Sequence, residues 1–294
     1  MTQTWFITGS SRGFGAALAR AALEAGDQVV ATARKPADLD ELVQAYGERV
    51  LPVALDVTDR EAALAAVDQA VARFGRIDVV VNNAGYANVG PIETTDEDDF
   101  RRQFDTNFWG VYNVTKAALP VLKRQGTGTI VQFSSVGGRV GGTPGLGSYQ
   151  AAKFAVDGFT RVLAAETASF GIRTLVVEPS GFATDWAGSS MSVHEIPEEY
   201  AATVGLVAGG GAGRSANLVA GDPARAGEIL VQVVRREHIP THLPIGVNAV
   251  EMSRTYSVRQ IAEVDEWGAV GRSADFAEPY PASYPQDAEA VTRS

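Results

Sequence analysis

Short apolar runs alternate with stretches of helical period along most of this chain, and that alternation is its strongest constraint. The runs are Trp5–Thr8, Gln28–Ala33, Val50–Asp56, Ile77–Val81, Thr129–Phe133, Ile172–Glu178 and the segment at His242–Gly246. Each is short enough for a buried strand, and each ends in small or polar residues. Between them lie helical patterns such as Ala16–Ala25, the helix ending at Phe74, and the one carrying Phe154, Val156, Phe159, Val162 and Leu163. The expectation is an α/β fold. With 294 residues the chain can bury one large core, and α/β folds of this size are often one domain, so 1–294 is read as one unit.

The first run leads into Gly9-Ser10-Ser11-Arg12-Gly13-Phe14-Gly15 and then a helix. Strand, glycine loop and helix together make an anion site, because glycine lets backbone approach a pyrophosphate and the helix N-terminus offers free N–H groups and a positive dipole. The spacing is Gly-x-x-x-Gly-x-Gly, not the Gly-x-Gly-x-x-Gly of the general dinucleotide fingerprint. In dinucleotide folds the end of the second strand meets the adenosine ribose. A carboxylate there binds a free 2′-hydroxyl, and an arginine accepts a 2′-phosphate. Here the strand ends Thr32-Ala33-Arg34-Lys35, with no carboxylate. Arg34, with Arg12 within reach of the same phosphate, points to NADP(H) rather than NAD(H).

The stretch from Ser134 to Lys153 carries the chemistry. Ser134 and Ser135 sit at the carboxyl end of a strand, and Tyr149 and Lys153 sit four apart on one face of the following helix. An ammonium beside a phenol favours the phenolate, so Lys153 is expected to lower the Tyr149 pKa from its free value near 10. A tyrosine tuned in this way exchanges a proton near neutral pH. An isolated Tyr-x-x-x-Lys is more often a surface pair; the surrounding motifs decide the reading here.

Asp59 or Thr58 is expected to cap the helix through Phe74. Asn82-Asn83-Ala84-Gly85 ends the fourth strand with residues small enough for a nucleotide to lie close, and its Asn side chains are expected to tie neighbouring strands together. Thr94-Thr95-Asp96 caps a long helix bearing Phe100, Phe104, Phe108, Val111 and Val114, inside whose apolar pattern Asn107 must find a partner. It is read as a satisfied buried amide, or as a group that holds water or kinks the helix near the reaction centre. Residues 187–222 are rich in Gly, Ala and Ser and are read as a lid over a pocket. Residues 246–294 are read as a helix to about Trp267 and a polar tail. His194, His238 and His242 have no ligand spacing, so no metal is expected.

A net charge of −10 argues against nucleic acid or an anionic membrane as partner. The absence of cysteine excludes disulfides and thiol catalysis. No apolar run approaches the ~18 residues of a membrane span, and Met1-Thr2-Gln3-Thr4 leads straight into the first strand, so a cytoplasmic location is expected.

Thr8-Gly-x-x-x-Gly-x-Gly15, Asn82-Asn-Ala-Gly85, Asn107, Ser135 and Tyr149-x-x-x-Lys153 occur in that order. Any one motif is weak; the ordered set resembles the short-chain dehydrogenase/reductase family over about residues 4–245. Thr32-Ala-Arg34, Ser135-Val-Gly-Gly138, Lys153-Phe-Ala155 and the longer C-terminus most resemble members near the 17β-hydroxysteroid and retinol dehydrogenases. The resemblance implies a Rossmann-like doubly wound parallel sheet of order 3-2-1-4-5-6-7, a lid insertion and a C-terminal helical extension. It implies that Asp56 and Val57 meet the adenine, that Asn83, Ala84 and Gly85 line the cofactor, and that Pro179, Gly181, Phe182 and Thr184 flank the nicotinamide. Tyr149 would be the acid/base, Lys153 would bind the ribose and lower the Tyr149 pKa, Ser135 would hold the substrate carbonyl, and Asn107 would fix a water linking Lys153 to solvent. The chain departs from the pattern in an interval from Ser135 to Tyr149 that is one residue longer than usual, with Gly141-Gly142 as its place and Ser134 as an alternative serine, and in Ser180, where the family has glycine.

The reading is an NADP(H)-dependent reductase of an apolar ketone, or a dehydrogenase of the corresponding secondary alcohol, assembled as a homodimer or homotetramer. A silent NADP(H)-binding sensor and an epimerase or dehydratase on the same fold are the rivals.

Overall fold

A computed structural model describes residues 2–183, 191–209, 221–279 and 284. Seven strands form one parallel sheet: β1 (Thr4–Ile7), β2 (Gln28–Ala33), β3 (Val50–Ala54), β4 (Val79–Asn82), β6 (Gly128–Phe133), β7 (Ile172–Pro179) and β9 (His242–Ile245). Two further strands, β5 (Ala87–Val89) and β8 (Met191–Val193), pair in parallel outside it. The large sheet runs β3-β2-β1-β4-β6-β7-β9, which is the expected order when its seven strands are counted alone.

The alternation of side chains explains why the strands read as unbroken apolar runs. Along β1, Trp5 and Ile7 face one core with Val29, Val79, Val131 and Leu175, under helices α1 (Gly13–Glu24) and α9 (Pro223–Val234). Phe6 faces the other with Val30, Val80 and Ile130, under α3 (Arg60–Phe74), α5 (Gly110–Gln125) and α7 (Gly147–Thr167). A parallel sheet covered on both faces has no polar side to show. The remaining helices are α2 (Asp40–Tyr46), α4 (Glu97–Phe104), α6 (Gly137–Val140), α8 (Val204–Ala208) and α10 (Val247–Arg272).

Caps set several boundaries. Asp59 accepts from the N–H groups of Glu61 and Ala62, so it caps α3, while Thr58 turns back to Asp56. Asp96 and Asp222 cap α4 and α9.

Two expectations need correction. The long helix from Asp96 is two helices joined by a π-helical turn over Asp105–Trp109, with Asn107 at its centre. The last helix continues past Trp267 to Arg272. The glycine-rich segment contributes β8 and α8; residues 184–190 and 210–220 lie outside the described residues. No described helix is long and apolar enough to cross a membrane.

Candidate active site

Because the strands are parallel, the ends of β1, β4, β6 and β7 open on one edge, and the order reverses between β1 and β4. A crevice forms at such a reversal. The glycine loop lines its floor. Gly9 has φ +67°, and a Cβ on Gly15 would stand 2.1 Å from the Gly9 carbonyl oxygen, so only glycine lets α1 start this close to β1. No side chain caps α1 and its first turn holds no carboxylate, which leaves the positive end of the helix to an outside anion.

Thr8, the last residue of the loop's approach, holds the neighbouring strip: its hydroxyl accepts from the backbone of Asn83 (2.9 Å) and Ala84 (3.0 Å). The Asn83 amide donates to the carbonyls of Thr8 (2.9 Å) and Gly9 (3.1 Å). Ser10 ties the loop to β2 through its N–H to Thr32 O (2.8 Å), and its hydroxyl donates back to Ile7 O at the end of β1 (2.7 Å). Arg12 and Arg34 each lie two residues beyond that tie and both are exposed, as is Asp56 at the end of the next strand beside buried Val57. Asp56 Oδ1 is already engaged by Thr58.

At the other end, Phe14 packs on Phe182, with ring centroids 4.6 Å apart, and on Phe133 at 5.5 Å. Pro179 ends β7 and its carbonyl accepts from Val136 N (3.0 Å), while Gly181 O accepts from Gly221 N (3.0 Å). Thr184 lies outside the described residues.

Tyr149 and Lys153 are both buried on the first turns of α7, with Lys153 Nζ 5.7 Å from the Tyr149 ring centre. Lys153 Nζ donates to Phe133 O at 2.7 Å. The two serines separate cleanly. Ser135 hydrogen bonds the Tyr149 phenol. Ser134 donates to Lys153 O (3.1 Å), pinning α7 to the strand end. The consecutive left-handed residues Gly141 and Gly142 turn the chain back between them. Asn107 is fully buried and clasps the backbone of Tyr86, accepting from its N–H (3.1 Å) and donating to its carbonyl (2.8 Å). A Cβ on Gly85 would lie 2.5 Å from Asn107 Oδ1 and 3.6 Å from Lys153 Nζ, so the amide and the ammonium meet over Gly85.

The expected lowering of the Tyr149 pKa is reversed. Burial pushes the phenol up to about 12, with the Ser135 hydrogen bond opposing, and burial pulls Lys153 down to about 8.

A model of the family described as short chain dehydrogenase matches residues 3–194. This chain belongs to the short-chain dehydrogenase family. Oxidoreductase BOA17 of Botryotinia fuckeliana is 50% identical over 268 residues, 91% of this chain and 97% of its own. A short-chain dehydrogenase from Streptomyces avermitilis superposes with TM-score 0.87 at 38% identity, covering 93% of this chain and 98% of its own. Another, from Burkholderia cenocepacia in complex with NADP, superposes with TM-score 0.71 at 26% identity, covering 90% and 96%.

As a short-chain dehydrogenase, the protein is an oxidoreductase. Thr8, which heads the first motif, organises the strip at Asn83 through its hydroxyl. Asn82 ties neighbouring strands as expected: its Nδ2 donates to Gln132 on β6 (2.9 Å) and to Thr115 on α5 (3.0 Å), beneath the crevice. Gln132 and Thr115 are the partners that the sequence did not mark, and polar residues inside apolar runs were the only signal for them.

Proposed function

We propose that this short-chain dehydrogenase reduces an apolar ketone with NADPH, or oxidises the corresponding secondary alcohol with NADP. The single observation that carries the proposal is the constellation of buried Tyr149 and Lys153 with half-buried Ser135 at the mouth of a glycine-floored crevice. Bound NADPH would supply a hydride to the carbonyl carbon. The chain's own residues would do the rest. Ser135 would hold the carbonyl oxygen, and Tyr149, kept protonated at neutral pH by burial, would give that oxygen its proton. Lys153 would donate to the ribose, and Asn107 would fix a water through which a proton returns from solvent.

The fit of the dinucleotide is supported by features of this chain. The Gly9–Gly15 contact leaves a cradle that a side chain would fill. Ser11, Gly13 and the open end of α1 would face the pyrophosphate, and Asp56 and Val57 the adenine. Asn83, Ala84 and Gly85 would line the middle. Pro179, Gly181, Phe182 and Phe14 would wall the nicotinamide, with Thr184 at its carboxamide. The choice of NADP(H) rests on exposed Arg12 and Arg34, each two residues from the Ser10–Thr32 tie, at the end of a strand that lacks a carboxylate. An apolar substrate is supported by Val89 and Val204, whose methyl groups crowd Gly145 just ahead of α7.

Tyr149→Phe tests the reading. The variant should bind NADPH as the wild type does, by fluorescence titration, and lose carbonyl reduction by ~10²–10⁴-fold across a ketone panel. Turnover near the wild-type rate would end the proposal.

A further inference from the structure

Among the described residues, the buried positions of helix α10 lie at its start, at Ala249 and Ser253. From Arg254 to Arg272 it runs on for about 28 Å at 1.5 Å per residue. Val247, Val250, Val258, Ile261 and Val264 are 49% to 70% exposed. At 100° per residue these five fall within an arc of about 120°. A solvent-bridging helix is normally polar all round, so a stripe of this kind marks a covered face.

The charges on the stripe indicate the partner. Arg254 and Asp265 lie in the same arc, and among the described residues neither has an ion-pair partner. We propose that α10 pairs with the α10 of a second copy of this chain, antiparallel about a twofold axis near residues 259–260. In that register Val258 of one copy meets Ile261 of the other. One turn outward on each side, Arg254 then meets Asp265, so both charges are matched twice by the same contact. A twofold axis makes any such contact self-complementary, and flanking opposite charges fix helix orientation. A parallel pair would instead set Arg254 against Arg254.

Sedimentation equilibrium tests this directly. Ile261→Asp should halve the mass of the wild-type assembly. Arg254→Asp should do the same at low salt, and Arg254→Asp combined with Asp265→Arg should restore it. Val258, Ile261 and Val264 on the outer half of α10 are exposed among the described residues, so each variant should keep the wild-type melting curve. The chain has no native cysteine, so mixing Val258→Cys with Ile261→Cys should give a disulfide-linked dimer that neither gives as readily alone. Ending the chain after Arg272 should leave the mass unchanged. A monomeric wild type, an unchanged mass in Ile261→Asp, failure of the double charge reversal to restore assembly, or loss of assembly on removing the tail would each overturn the proposal.

Discussion

Tyr149 and Lys153 sit in the same buried wall, and burial moves them in opposite directions because one is neutral and the other charged when protonated. With the phenol pushed up to about 12, Tyr149 stays protonated throughout the working range and produces no limb of its own. Lys153, pulled down to about 8, holds its charge below that pH and loses it above. Therefore kcat/KM for NADPH, which reports groups of the free enzyme, should be level below pH 8 and fall above it. In Lys153→Met the value should be low and nearly flat. A wild-type profile that stays level to pH 9.5 would detach Lys153 from cofactor capture. The spacing of these two residues was legible in the sequence. The sign of the shift was not, since a four-residue spacing gives proximity but says nothing of how deeply the helix is sunk.

Elements convert single residues into a crevice at two places. The Ser10–Thr32 tie holds the glycine loop against the end of β2, two residues from Arg12 on one side and from Arg34 on the other. Ala33→Asp with Arg34→Ala should therefore shift the NADPH/NADH ratio of kcat/KM toward NADH, and an unchanged ratio would exclude Arg34 from the choice. Ala33 is buried, so the melting curve of the variant controls for damage to β2. The second place is the π turn. Its extra residue was invisible to a periodicity reading because the apolar stripe resumes on each side; a polar Asn107 inside that stripe was the only trace. Asn107→Ala would leave the N–H and carbonyl of Tyr86 without partners, at a cost of ~1–3 kcal/mol that urea unfolding would measure. Wild-type stability in that variant would show that the clasp on Tyr86 is dispensable. The sheet order itself was legible from the strand runs and the ordered motifs, whereas β5 and β8 are too short and too mixed in composition to announce themselves.

Across the whole molecule, the described part of the segment expected to act as a lid is fastened through β8 close to the strip at Asn83–Gly85. Strand β8 pairs with β5, which begins two residues after Gly85. Buried Asp99 on α4 accepts from Asn88 Nδ2 on β5 (2.5 Å) and pairs with His194, just after β8 (2.8 Å), while Arg102 donates to its other oxygen (2.9 Å). Burial alone would raise the Asp99 pKa, but these hydrogen bonds hold it below the usual carboxylate range, so the fastening persists as pH falls toward 4. The participants are up to 106 positions apart, from Asn88 to His194, and β8 lies within a stretch that composition marks as loop, which is why none of this could be read from the sequence. Asp99→Asn keeps the shape and removes the charge. We expect amide hydrogen exchange to quicken across Met191–His194 and KM for the ketone to rise severalfold. On the proposed reading the fastening lies on the substrate side of the strip, so kcat/KM for NADPH should change little. Hydrogen exchange over Met191–His194 equal to that of the wild type would mean that β8 is held by its backbone pairing alone, and the charge on Asp99 would then have no part in closing the substrate side.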